Sequence, residues 1–491
     1  GVEQPLKWLF RLLFIWGGLA FFFSLFQHGL KQGRLDRILF IIVISALLQG
    51  LVGVAQIYLQ MDMPFWLPKS PNGVPSGLFQ QINNQATYQV TAIMIVAYLI
   101  TRPFIRFAKP WLKVILIFSV LCSSFLVMVS GSRIGALTLV LGLLIIIPTQ
   151  WQRFKQNKRM ALIAVAALVM GIGLGSAVGN GHAIDKTVAM QSGYSGSARL
   201  GIYTIALDLI KEEPIFGHGI GSFGRVFQHA KSGFYQQYPK AVLPNKYVSH
   251  PHNEMFFWLV EGGLIAGVGL LVVLVGVILA LNTLSWQRSW GYVAILLPIA
   301  SHIQVELPFY ISVFHWFLFI ILIFILSSYS MVNKTRVMST SMLKLSSIVV
   351  GVLSFILIMF FLHTLRSHQD FMNYYRGENL DLPFKYAFKN PYLSDQAQWV
   401  DMNTILNSST HFDAKGDRDI QHNIANSVKA YIDWGKIRLL NKPNIELYRQ
   451  LAGAYYFLED QVNFCSIIHS GAAMYPDDVQ LQKSALEECM M

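Results

Sequence analysis

Charge is scarce in this chain: Asp, Glu, Lys and Arg make up 13% of its 491 residues, against 54% hydrophobic types. Such a composition, with long apolar runs separated by short polar ones, excludes an ordinary soluble domain and reads as an all-α polytopic membrane protein. Cysteine is scarcer still, three in all. Cys122 lies in an apolar run as a small filler, while Cys465 and Cys489 share the polar tail, where an oxidising compartment would permit a disulfide. No metal set is evident, because His250 and His252 lack a third ligand at predictable spacing and "GDRD" (416–419) is a lone Asp-x-Asp of the kind that forms turns. No nucleotide loop is present either: the glycines of "FGHGIGSFG" follow no strand and have the wrong spacing. The chain opens on Gly1 without initiator Met, signal peptide or charged n-region, and further upstream spans are expected.

What the sequence does have is a net charge of +12. Its Lys and Arg residues sit in short connectors rather than on one face or tail, so nucleic acid is not an expected partner and the excess reads as topology. Runs able to cross a bilayer fall at about 8–26, 37–59, 86–101, 114–130, 133–148, 160–179, 252–281, 291–303, 312–329 and 345–363, about ten spans in all. The basic connectors 31–37, 102–113, 150–159 and 333–344 alternate in one register and are assigned to the cytoplasm. The opposite, extracytoplasmic side then receives residues 60–85, the 130–133 junction, the loop 181–251, the segment 304–311 and the tail.

The expected organisation is a transmembrane domain over 1–363, with the large exported loop at 181–251, followed by a soluble α-helical domain over 364–491. In the tail, apolar residues at helical spacing predict a hairpin plus a third helix in the style of tetratricopeptide repeats. Such a domain can contact an acceptor or simply cap the membrane part. In the loop, "SARLGIYTIALDLIKEE" predicts an amphipathic helix ended at Glu213-Pro214 and followed by a glycine turn.

Four clusters can carry chemistry. In "SHPHNE" (249–254), Ser249 or His250 is expected to cap a helix with His252 and Asn253 in its first turn, where free N–H groups favour an anion and keep a nearby imidazole neutral. Taken singly, either histidine is read first as a cap or interface residue with satisfied hydrogen bonds, and only the motif context below reverses that for His252. Arg133 and Arg199 each open a helix on the exported side, as forks for diphosphate oxygens or as snorkelling interface residues. In "SHIQVELPFY" (301–310), His302 and Glu306 stand one turn apart; Glu306 can orient a histidine, bind a sugar hydroxyl or pair with an arginine, and structural pairing is favoured. The amides of "GLFQQINNQATYQ" (77–89) offer a carbohydrate shelf or helix caps. Scattered intramembrane charge also suits a lipid or solute transporter, but no internal repeat of paired halves is found.

Taken in order on one face, "GLFQQINNQA", "SGSRIGAL", "SARLGIYTIALDLIKEEPIFGHGIGSF" and "HPHNEMFFWLVEGGLIAGVGLL" resemble the O-antigen ligase superfamily of bacterial glycosyltransferases. The "HIQVELPFY" element and the helical tail resemble its protein-glycosylating branch, the PglL-type O-oligosaccharyltransferases. That resemblance implies an inner-membrane enzyme with a periplasmic site. It would transfer an oligosaccharide from undecaprenyl diphosphate, among membrane lipids, to Ser or Thr of an exported protein such as a pilin. It also implies His252 as the catalytic histidine and Arg133 and Arg199 as diphosphate ligands. Gln80 or Gln81, with Asn83, would form the Gln/Asn element, and Asn253, His302, Glu306 and Tyr310 would be supporting residues. A direct, inverting displacement would need no cofactor, nucleotide sugar or metal. Ligation to lipid A core and polymerisation of sugar repeats use the same donor chemistry and stand as alternatives.

Overall fold

The computed structural model describes residues 5–27, 32–79, 81–179, 196–330, 339–378, 383–411 and 418–489. Ten helices occur at the ten places where apolar runs predict spans. They are α1 (Pro5–Phe26), α2 (Gln32–Leu59), α3 (Ile82–Ile100), α4 (Pro110–Val129), α5 (Arg133–Gln156) and α6 (Lys158–Gly179), then, beyond two loop helices, α7 (Gly196–Glu212) and α8 (Phe223–Gln237), α9 (Glu254–Asn282), α10 (Trp286–His302), α11 (Val313–Ser330) and α12 (Thr340–Tyr375). Among the described residues seven helices are long and apolar enough to cross a bilayer; α3, α10 and α11 fall short of that measure. The reason is plainest in α3, where 16 of 19 residues are buried. A helix surrounded by other helices meets protein rather than lipid, so it can carry polar side chains that find partners. Gln89 donates to Ala46 O at 2.9 Å and accepts from Ser123 Oγ at 2.6 Å.

Lipid supplies no hydrophobic drive between helices, so close backbone approach does that work. Gly171, Gly175 and Gly179 repeat every fourth residue along α6 against α4: an added Cβ would stand 2.0 Å from Ser124 Oγ, 2.5 Å from Phe125 O and 3.1 Å from Val129 Cα. The polar contacts sort to two helix ends. At one, Arg102 pairs with Asp36 at 3.3 Å, Asn157 donates to Ile100 O at 3.1 Å and Gln150 donates to Gln287 O. These are the basic connectors and their neighbours. At the other end lie Gln81, Asn83, Ser132, His252 and Glu306.

Helix α7 ends at Glu212, as the Glu-Pro signal predicts, and the following turn uses positive φ at Gly217, Gly219 and Gly221. The run 252–281 is not one straight span. Gly263 leaves helical conformation (φ 56°, ψ −151°), dividing α9 into 254–262 and 264–282. The break admits the glycine turn, because a Cβ on Gly217 would stand 2.6 Å from Glu261 C and one on Gly263 2.4 Å from Ile215 O. Leu264 N donates to Pro214 O at 2.8 Å across this junction.

The chain packs as two compact units, one of residues 12–218 with 250–333, the other of 1–11 with 219–249 and 334–491. In the second, α12 runs unbroken through 363–364, where composition alone placed the boundary. It is followed by α13 (Ser394–His411), α14 (Arg418–Asn441), α15 (Ile445–Phe457), α16 (Gln461–Met474) and α17 (Val479–Glu487). Tyr431, Leu447, Leu451, Ala454 and Tyr475 form the centre of their core. A disulfide joins Cys465 to Cys489. Residues 219–249, expected as part of the membrane domain's loop, pack with this tail.

Candidate active site

Asn253, rather than Ser249 or His250, caps α9. Its Oδ1 accepts from Met255 N at 2.8 Å and Phe256 N at 3.0 Å, the reach of a short polar side chain at this position. Glu254 N donates to Ile303 O and Phe257 N to Asn253 O. His252 therefore stands before the helix instead of in its first turn. The amides expected to face a phosphate are all engaged, so the helix end is not the anion site. Asn253 Nδ2 donates to Gln304 O at 3.0 Å and ties this entry to the turn after α10.

His252 adopts φ 54°, the left-handed region, at a cost of roughly 1–2 kcal/mol for a residue with a Cβ. Such strain persists only when the surroundings over-determine it. His252 N donates to His250 Nδ1 at 3.3 Å, Tyr203 OH approaches His252 O at 3.5 Å, and His252 Nδ1 lies 2.9 Å from Glu306 Oε1. Burial lowers the His250 pKa to about 4, helped by His252 and opposed by Glu306, so His250 is neutral at pH 7 and can accept.

Glu306 is only 4% exposed. Burial raises its pKa, but the hydrogen bonds and charge of His252, the Gln81 amide and His250 together hold the carboxyl well below the usual range. Gln81 Nε2 donates to Glu306 Oε2 at 3.0 Å. An ionised carboxylate only accepts, so His252 Nδ1 carries the proton of this hydrogen bond and Nε2 is turned away from the carboxylate as the second ring nitrogen. The favoured pairing of Glu306 with an arginine gives way to the alternative in which it orients a histidine.

Asn83 Oδ1 accepts from Ser132 Oγ at 2.8 Å, next to Arg133, which is exposed at the first position of α5. Arg199 lies on α7 one turn before Tyr203 and acts on it electrostatically, as does Glu306. Gln80 lies outside the described residues. His302 is fully buried, its Nδ1 2.9 Å from Thr87 Oγ1, and forms part of the wall behind Glu306. Tyr310 is half exposed with its ring 5.7 Å from that of Phe257. His218 Nε2 donates to Leu209 O at 2.9 Å, a local structural bond. Tyr203 escaped sequence reasoning, although its place four residues after Arg199 was a usable helical signal.

Folding also supplies the third ligand that sequence spacing lacks: donor atoms of His250, His252 and Glu306 all lie within 4.8 Å of one another. Two histidines and a carboxylate can hold a divalent cation. A cation on His252 Nδ1 would displace the proton to Nε2 and remove the free lone pair, so metal binding and the hydrogen-bonded base exclude each other. Transfer by EDTA-treated membranes is accordingly expected to proceed undiminished; a loss restored by Mg²⁺ or Mn²⁺ would place a cation in this trio.

Residues 118–271 match the O-antigen ligase family. Residues 290–487 match the family described as virulence factor membrane-bound polymerase, C-terminal. No curated protein matches the chain. The matches support an O-antigen ligase-like membrane enzyme of glycan transfer. His252 lies within the first matched segment and Glu306 within the second, so their hydrogen bond joins the two.

Proposed function

We propose that this chain is an O-oligosaccharyltransferase that moves a glycan en bloc from undecaprenyl diphosphate to Ser or Thr hydroxyls of exported proteins such as a pilin. The observation that carries the reading is the His252–Glu306 pair, 2.9 Å apart and anchored by Gln81. His252 Nε2 takes the acceptor proton as the hydroxyl oxygen attacks the anomeric carbon. The bond from that carbon to the diphosphate breaks on the opposite side, its electron pair leaves with the diphosphate, and the anomeric configuration inverts. Glu306 stabilises the imidazolium, and Arg133 and Arg199 receive the developing charge. The enzyme resides in the bacterial inner membrane with all ten long apolar-run helices as spans, and its site and tetratricopeptide-like tail face the periplasm. Separation of the basic connectors from the site, at opposite helix ends, supports that orientation.

Arg133→Lys and Arg199→Lys are each expected to reduce transfer on the order of tenfold, less than full loss of a charge-stabilising donor, because lysine keeps the charge but not the planar fork. Full activity of both at equal membrane abundance would remove the diphosphate role.

The polymerase named by the second match favours one other reading, extension of sugar repeats on the same donor. The test is expression in cells that carry a lipid-linked oligosaccharide but no native ligase, with and without candidate exported proteins. Mass spectrometry is expected to find glycan on their Ser or Thr residues. Longer lipid-linked repeats would favour the polymerase, and sugar on lipid A core alone the ligase.

A further inference from the structure

The helix ends opposite His252 carry a charge imbalance that folding concentrates. Over the connectors 31–37, 102–113, 150–159 and 283–290 the sequence has one acidic residue, Asp36. Asp36 and Arg102 are both buried, and Arg102 Nε donates to Asp36 Oδ1 at 3.3 Å, which engages that carboxylate. Two further guanidiniums close on the same place, Arg153 from the last turn of α5 and Arg288 from the first turn of α10. Arg153 feels the charges of both Arg102 and Arg288, and Arg288 acts on Asp36 as well. Three cations therefore surround one anion.

Aromatic rings wall this space. Tyr98 of α3 and Tyr292 of α10 have no exposed surface, and their ring centroids stand 5.2 Å apart. Gly291 permits that approach, because a Cβ there would stand 2.7 Å from Cδ2 of Tyr98. Arg102 lies 5.7 Å from the centroid of the Tyr98 ring and Arg288 4.6 Å from that of Tyr329, whose hydroxyl faces Asp36 and Tyr292. Among the described residues, Tyr98 Oη, Arg153 Nη1 and Arg288 Nε are buried without a hydrogen-bond partner, and so is Gln150 Oε1, one turn before Arg153. Charged donors left buried and unpaired are costly, and an anion relieves that cost at the first three atoms. The Gln150 oxygen, an acceptor, suits a hydroxyl that the anion carries.

We propose that Arg102, Arg153, Arg288 and Tyr98 form a binding site for a hydroxyl-bearing phosphate at the helix ends opposite His252. Planar guanidiniums match phosphate oxygens two at a time, and basic pockets between membrane helices take phospholipid headgroups. The glycerophosphate headgroup of an anionic lipid and free inorganic phosphate share this chemistry. None of these residues takes part in the proposed transfer, so the site stands or falls apart from that reading. The test follows thermal unfolding of the delipidated full-length chain in neutral detergent against added dioleoylphosphatidylglycerol and, separately, inorganic phosphate. Phosphatidylcholine and chloride at matched ionic strength are the controls. The midpoint rises saturably: with the lipid probe if the source is a headgroup, with phosphate if it is the free anion. Arg153→Gln and Arg288→Gln each raise the half-saturating concentration about tenfold, the worth of one charged hydrogen bond. Arg159→Gln, which removes an exposed charge of the same connector as Arg153, leaves it unchanged. Should a charge variant fail to fold, Tyr98→Phe carries the test, since it keeps the ring and every charge and weakens binding about threefold through the lost hydroxyl. No saturable rise with either probe, or a loss in Arg159→Gln equal to that in Arg153→Gln, would overturn the proposal and leave only diffuse surface charge.

Discussion

His252→Asn is expected to lower transfer by about 10²–10⁴-fold, the usual worth of a general base, with the lipid-linked donor still bound. Asn is the informative substitution because it tolerates the left-handed backbone that His252 occupies at φ 54°. The lost rate then reports the imidazole rather than relieved or added strain. His250→Ala should be milder: His250 supplies one acceptor, at 3.3 Å, to the His252 amide, and water can replace a neutral acceptor. Single-turnover transfer at matched membrane abundance separates the two. Wild-type rates in both variants would rule out the histidine-base mechanism.

Glu306→Gln is expected to cost on the order of 10²-fold, at the lower end of the same range. The carboxylate performs two tasks that an amide of the same shape cannot. It forces the proton onto His252 Nδ1, since an ionised carboxylate has no donor, and it stabilises the imidazolium formed after proton transfer. Gln81 would at the same time face an amide instead of a charged acceptor at its 3.0 Å bond. The loss should fall on kcat, because Glu306 is 4% exposed and is not placed to meet the donor directly. A variant that is less abundant but fully active per molecule would return Glu306 to a purely structural role.

Both expectations bear on what could be read without coordinates. The resemblance carried His252, Arg133, Arg199 and the Gln/Asn element, and the structure brings Gln81 and His252 onto the same carboxylate. The sequence reading also identified Glu306 as a residue needing a partner, yet favoured an arginine. His252 and Glu306 are 54 residues apart and Gln81 and Glu306 are 225 apart; no local spacing encodes a bond over such separations. The cap was misplaced for a subtler reason. Ser249, His250 and Asn253 are all able to cap, and Pro251 is compatible with a first helical position, so local propensity left several solutions that only the backbone at His252 resolved.

By itself the sequence determined the helix-rich membrane class, the ten helix positions, the alternation of basic connectors with the chemistry-bearing ends and the end of α7. These depend on hydropathy, charge and stops that act over a turn or two of chain. Tertiary structure alone decided that α3 is an interior helix able to hold Gln85, Thr87 and Gln89, that α9 breaks at Gly263 to admit the glycine turn, that Glu306 serves His252, and that residues 219–249 belong with the tail. Each of these is a pairing of surfaces or polar groups distant in sequence, and such a pairing acquires its energy only when packing removes the alternative partner, water.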